Sequence, residues 1–154
     1  MKMVNKAIFF TALLALLVVS GCTSNNPNSA TDAADNSEQA TFSIPVASIG
    51  QEAKWYEYES NGTTIRFFAV KGSDGSVKTA FDACDVCNYS KKGYSQQGNF
   101  MVCNNCGNKY PIDGLGTENK RPGGCWPSYL PNEVVGENIV IQKANLEKGS
   151  AFFA

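Results

Sequence analysis

The chain has 154 residues, 18% charged and 43% hydrophobic, the size and composition of one small domain rather than two. A net charge of -1 supplies no general pull toward nucleic acid. The absence of histidine excludes imidazole zinc ligation, C-x-x-C-H haem attachment and the cupredoxin type of copper site.

In chain order, Lys2 and Lys6 form a short basic region and IFFTALLALLVV an apolar one, the pattern of a secretory signal over residues 1–21. The apolar run Ala7–Val19 falls short of the ~20 residues that span a bilayer, which disfavours an uncleaved transmembrane anchor. Val19-Ser20-Gly21-Cys22 resembles the lipobox of bacterial and archaeal lipoproteins, so Cys22 is the expected lipidation site. Residues 22–41 then read as the lipidated cysteine and a flexible linker. After Cys22 this stretch contains no aromatic residue and no Leu, Ile or Val, and cannot offset the entropy of ordering. The expected location is the extracytoplasmic face of a membrane, with a folded domain over residues 42–154.

TFSIPVASIG is an extended segment in which Phe42, Ile44 and Val46 alternate with Ser43 and Pro45; the proline assigns it to an edge or a bulge. KWYEYES, TTIRFFAV and SVKTAFDA follow, separated by Asn61-Gly62 and Asp74-Gly75, and predict a three-stranded meander. Trp55, Tyr56, Tyr58, Phe67, Phe68 and Phe81 are expected to serve as core or sheet packing. GYSQQGNFMV has the turn residues and apolar flank of a hairpin, with Met101 packed beneath it. PSYLPNEVVG reads as a proline-punctuated loop, Asn138 to Gln142 as a strand, and the region of Leu146 as a short helix or turn. The fold class is mainly β, with a small α+β arrangement as the variant.

With Cys22 set aside, five of the six cysteines remain, spaced C-x2-C-x15-C-x2-C-x18-C: Cys84, Cys87, Cys103, Cys106 and Cys125. Each C-x-x-C can form a knuckle that aims two sulfurs at one point, and the hairpin between them brings the second knuckle over the first. The result is a zinc-ribbon or rubredoxin-like cage for zinc or iron, or for copper(I) at lower coordination. Outside the cytoplasm, structural disulfides and dithiol exchange are the rival readings. Five thiols are odd in number, however, and a C-x-x-C disulfide closes a loop too small to stabilise much. Cys125 lies in Pro122-Gly123-Gly124-Cys125-Trp126-Pro127, a loop suited to presenting a single sulfur; the alternative is a buried cysteine acting as a small hydrophobe. Asp82 and Asp85 read as turn or surface residues, since hard carboxylates are poor partners for a thiolate site. No nucleophile with a positioned base and no phosphate loop is present, so a conventional enzyme is not expected.

The succession Asp74-Gly75, Ala80-Phe81-Asp82-Ala83-Cys84-Asp85-Val86-Cys87, Gly93-Tyr94, Cys103-Asn104-Asn105-Cys106-Gly107 and Gly123-Gly124-Cys125-Trp126-Pro127 resembles the membrane iron-sulfur FtrD-like domain, over roughly Phe42 to Leu146. The resemblance implies an iron-sulfur cluster or iron as cofactor, with Cys84, Cys87, Cys103, Cys106 and Cys125 as candidate ligands. It also implies electron transfer in iron uptake, with a metal permease or redox protein as partner. The chain departs from the pattern in having a lipoprotein anchor instead of a multi-span membrane part, and tryptophan at 126. Zinc and copper(I) stand as alternative metals, and a metal carrier or a structural zinc-ribbon adaptor as alternative functions.

Overall fold

The computed structural model describes residues 40–121 and 123–154. The expected signal, the expected lipidation site Cys22, all but the end of the expected linker, and Pro122 lie outside the described residues. Nine strands and one short α-helix form three small antiparallel sheets among those residues, so the fold is mainly β. No helix among them is long and apolar enough to cross a membrane.

The central sheet is the meander of β2 (Lys54–Ser60), β3 (Thr63–Lys71) and β4 (Val77–Phe81), paired in the order β2-β3-β4. Asn61 and Gly62 both take positive φ, 49° and 78°, the backbone that matches a tight turn to the twist of its strands. β3 is apolar on both sides because it is covered on both sides. Ile65, Phe67 and Ala69 enter one core, while Phe68 and Val70, pointing the opposite way at period two, enter another. Both phenylalanines are fully buried, each contributing about 1.5–3 kcal/mol of transfer free energy.

The first core is closed by a sheet of order β1-β9-β8, formed by β1 (Thr41–Pro45), β9 (Asn138–Gln142) and β8 (Glu133–Val135). Ile44, Ile139 and Ile141 bury their side chains there with Leu146 of α1 (Lys143–Lys148). β1 is an edge strand ending at Pro45, where a residue without an N–H loses nothing; Val46 starts a 3-10 turn and does not extend the strand. β8 corrects the reading of PSYLPNEVVG as loop throughout. All three of its residues are exposed, so no alternating burial marked it, and pairing with β9 alone makes it a strand.

The second core is closed by β5 (Tyr94–Gln97), β6 (Phe100–Cys103) and β7 (Lys109–Pro111). β5 and β6 are the predicted hairpin, and Met101 is fully buried beneath it. Trp55 packs on the sheet and not in a core: it lies against Phe68, its cross-strand partner, with ring centroids 5.9 Å apart, and remains 42% exposed.

Asp113, in the turn after β7, accepts hydrogen bonds from the Ser73 amide at 2.8 Å and the Ser73 hydroxyl at 2.7 Å, tying the β3–β4 turn to the third sheet. These donors hold its carboxyl below the usual carboxylate range. A depressed folded-state pKa contributes stability above the unfolded value near ~4 and loses it as pH falls through the folded value. In urea denaturation, the gap between the parent chain and Asp113→Asn is therefore expected to be open at neutral pH and to close in acid. A gap independent of pH contradicts the assignment.

Candidate metal centre

β4 ends at Phe81 and the chain passes through Asp82 and Ala83 into Cys84. The first C-x-x-C closes on itself: the Cys87 amide donates to the Cys84 sulfur at 3.1 Å and the Asn88 amide to the Cys84 carbonyl at 3.2 Å. The second follows β6. Gly107 N–H donates to the Cys103 carbonyl at 2.8 Å and Cys103 N–H to the Asn108 carbonyl at 3.0 Å, making a compact turn that carries Cys106.

Two sets of backbone contacts bring these turns and Cys125 together. The Asn104 amide donates to the Gly93 carbonyl at 3.0 Å, and the Tyr94 amide to the Asp82 carboxylate at 2.7 Å, which fastens the hairpin to the end of β4. On the other side, the Phe81 amide donates to the Ser128 carbonyl at 2.8 Å and the Ser128 amide to the Ala83 carbonyl at 2.9 Å. Ser128, three residues after Cys125, is thereby held beside Ala83, the residue before Cys84. Gly123 and Gly124, at φ 91° and 97°, give the intervening arm a path that residues with a Cβ rarely adopt.

The five sulfurs consequently form two overlapping trios. Cys84, Cys87 and Cys125 lie within 4.8 Å of one another, as do Cys87, Cys103 and Cys106, so Cys87 belongs to both. The Cys87 and Cys125 sulfurs are 3.7 Å apart, and all five are free thiols. Cys84 and Cys103 sit in the second core at 1% and 2% exposure, Cys125 is half-buried and Cys106 is exposed. The cluster therefore has a dry end and a wet end.

Its electrostatics follow from crowding. Asn105 favours the Cys87 thiolate, but burial and the neighbouring thiols of Cys125 and Cys103 outweigh it and push that thiol up to about 12. Burial likewise raises Cys125. The Asn108 amide, aided by the other thiols, lowers Cys106. Tyr94 donates its hydroxyl to the Cys125 carbonyl, and burial beside Cys84 raises its phenol, keeping it a neutral donor. Tyr110 lies between Tyr94, 6.4 Å away by ring centroids, and Trp126, 4.7 Å away, so an aromatic wall flanks the Cys125 arm.

Two residues that hold the site escape a reading of residue types. Asp82 was expected at a turn or the surface, yet it is 8% exposed, accepts the Tyr94 amide and lies 3.8 Å from the Arg66 guanidinium. Burial raises its carboxyl pKa against the opposing effects of the Tyr94 amide and Arg66. Tyr94 was visible only as the residue after Gly93. Asp85 is exposed, and its carboxylate accepts the Gly123 amide at 2.5 Å, bracing the Cys125 arm. Asp82→Ala is expected to cost about 1–3 kcal/mol by orphaning the Tyr94 amide, and Asp82→Asn, which keeps an acceptor, distinctly less. Equal losses for the two variants in urea denaturation would show that this hydrogen bond is not what matters.

Fold and sulfur placement together define a small β protein with a thiol cluster suited to soft metals. Within that class, the chain belongs to the membrane iron-sulfur containing protein FtrD-like family, whose model matches residues 49–153 and so spans all five clustered cysteines. No curated protein and no solved structure shows significant similarity to the chain.

Proposed function

We propose that the chain is a membrane-anchored, extracytoplasmic metal-binding protein whose Cys-ligated centre, an iron-sulfur cluster or mononuclear iron, serves electron transfer or iron uptake. The observation that carries this reading is the convergence of five free thiols from three separate chain segments, buried at one end and open at the other. The donor set fits. It is all sulfur, with no imidazole and no carboxylate in either trio, and an amide N–H already points at the Cys84 sulfur.

Cys84, Cys87, Cys103 and Cys106 are the proposed principal ligands, with Cys125 as a fifth or alternative one. A bound iron centre supplies one-electron chemistry. The protein's part is to exclude water at Cys84 and Cys103, to hold the Cys125 arm through Tyr94 and Asp85, and to expose Cys106 for exchange with a partner. Val86 within the first C-x-x-C and Tyr89 just after it, 50% and 75% exposed, give a redox protein or metal permease an apolar surface to meet. Lipidation at Cys22 is the proposed means of anchoring. No hydrolytic role is proposed.

One observation favours a second reading. Trios of sulfurs suit copper(I), which accepts low coordination, and a carrier would pass that ion on by ligand exchange through Cys125 or Cys106. Zinc held structurally on an adaptor lipoprotein is the third use of the same donors. Absorption spectra and elemental analysis of protein purified with its metal separate the three, since iron-thiolate and iron-sulfur centres absorb in the visible whereas zinc and copper(I) thiolates do not. Colourless, metal-free protein with two disulfides and one free thiol by mass spectrometry would overturn all of them.

A further inference from the structure

A cavity of about 320 Å³ is bordered by the Cys125 arm and by α1. Its walls are aromatic, including Trp126, Tyr129 and Phe152. Its charged lining is lopsided. Lys120, Arg121 and Lys148 border it, and none of the three pairs with a carboxylate among the described residues, where the one ion pair is Arg66–Asp82. Lys148 donates instead to the Asn145 side-chain carbonyl at 2.9 Å, and the Lys120 ammonium sits 5.4 Å from the centre of the Tyr129 ring. The single acid in the lining, Asp85, is engaged by the Gly123 amide.

Three cations around an aromatic slot describe a receptor for negative charge on a flat body.

We infer that this cavity binds a small organic anion, a planar ring bearing two or more carboxylate or phosphate groups. Its volume is at the low end for ligand pockets, which limits the occupant to about one ring and its substituents. Lys120, Arg121 and Lys148 meet the anionic groups, and the ring lies against Trp126 and Tyr129. Because Gly123 and Trp126 flank Cys125 in the chain, the occupant touches the arm that presents the fifth sulfur. The inference stands on the cavity alone and holds whichever metal the thiols take.

Titration of the full chain with benzene-1,3,5-tricarboxylate, followed by calorimetry and by the two indole N–H signals in NMR, tests it. The expected result is saturable binding tighter than about 1 mM that weakens with added salt and moves the Trp126 signal while leaving that of Trp55 in place. Binding of 1,3-phenylene bisphosphate at the same site points to phosphorylated ligands, and tricarboxylate binding alone to carboxylated ones; either supports the inference. The double variant Arg121→Ala/Lys148→Ala should weaken binding about tenfold or more, with circular dichroism unchanged. Absence of saturable binding, equal affinity in the double variant, or equal binding of the uncharged benzene-1,3,5-trimethanol overturns the inference. Inorganic phosphate competing as well as the ring compounds would overturn its organic part.

Discussion

Replacing Cys87 with serine is expected to lower metal affinity more than replacement of any other cysteine. Its sulfur is the one member common to both trios, so Cys87→Ser leaves Cys84 with Cys125 and Cys103 with Cys106, two pairs in place of two trios. Cys84→Ser or Cys106→Ser breaks one trio and leaves the other whole. Cys125→Ser also leaves the trio of Cys87, Cys103 and Cys106 whole, with Cys84 as the fourth thiol of the paired C-x-x-C turns. Serine is close in size, and at 8% exposure the Cys87 site has little water to accept the new hydroxyl, so a modest loss of fold stability accompanies the change. Competition against a chelator of known affinity, with elemental analysis of the recovered protein, measures the ranking. Equal losses for Cys87→Ser and Cys125→Ser would show that the trios do not act through a shared sulfur.

Phe68→Ala and Phe67→Ala are each expected to cost about 3–5 kcal/mol, since both rings are fully buried in packed cores. The two should differ in what else they damage. Phe68 faces the core that contains Cys84, Cys87 and Cys103, whereas Phe67 faces the core built with Ile44, Ile139 and Leu146. At a urea concentration low enough that both variants remain folded, Phe68→Ala should weaken metal binding and Phe67→Ala should not. A common loss of affinity in proportion to stability would mean that the two faces of β3 are not separate in function. Because a loss of this size approaches the whole stability of a small domain, the milder Phe68→Leu and Phe67→Leu pair provides the same comparison.

Much of this architecture is legible in the sequence. Asn61-Gly62 and Asp74-Gly75 marked the meander because few residue pairs take the backbone angles that such turns need, and the Gly98 region marked the hairpin in the same way. β9 and α1 were legible because Ile139, Ile141 and Leu146 carry buried apolar side chains at strand and helix spacing. β7 and β8 were not. Each is only three residues long, and β8 buries none of its side chains, so both exist through pairing to a neighbour distant from any local pattern. Asp82 was misjudged for a related reason: a carboxylate is surface-seeking until a specific amide and guanidinium surround it, and both come from other parts of the chain.

By itself, then, the sequence determined the chemistry available to this protein: a histidine-free, all-sulfur donor set, paired in two C-x-x-C turns, with a fifth cysteine in a glycine-flanked arm. Those are properties of residue types and short spacings, which no fold can alter. Tertiary structure decided which sulfurs meet. Ser128 hydrogen-bonded to Phe81 and Ala83 carries Cys125 to Cys87, and Asp82 hydrogen-bonded to Tyr94 carries the second C-x-x-C to the first. It also decided that β3 has two cores and that three cations gather around an aromatic cavity. These depend on contacts between residues far apart in the chain, whose pairing emerges only when apolar faces are buried together and buried polar groups find partners.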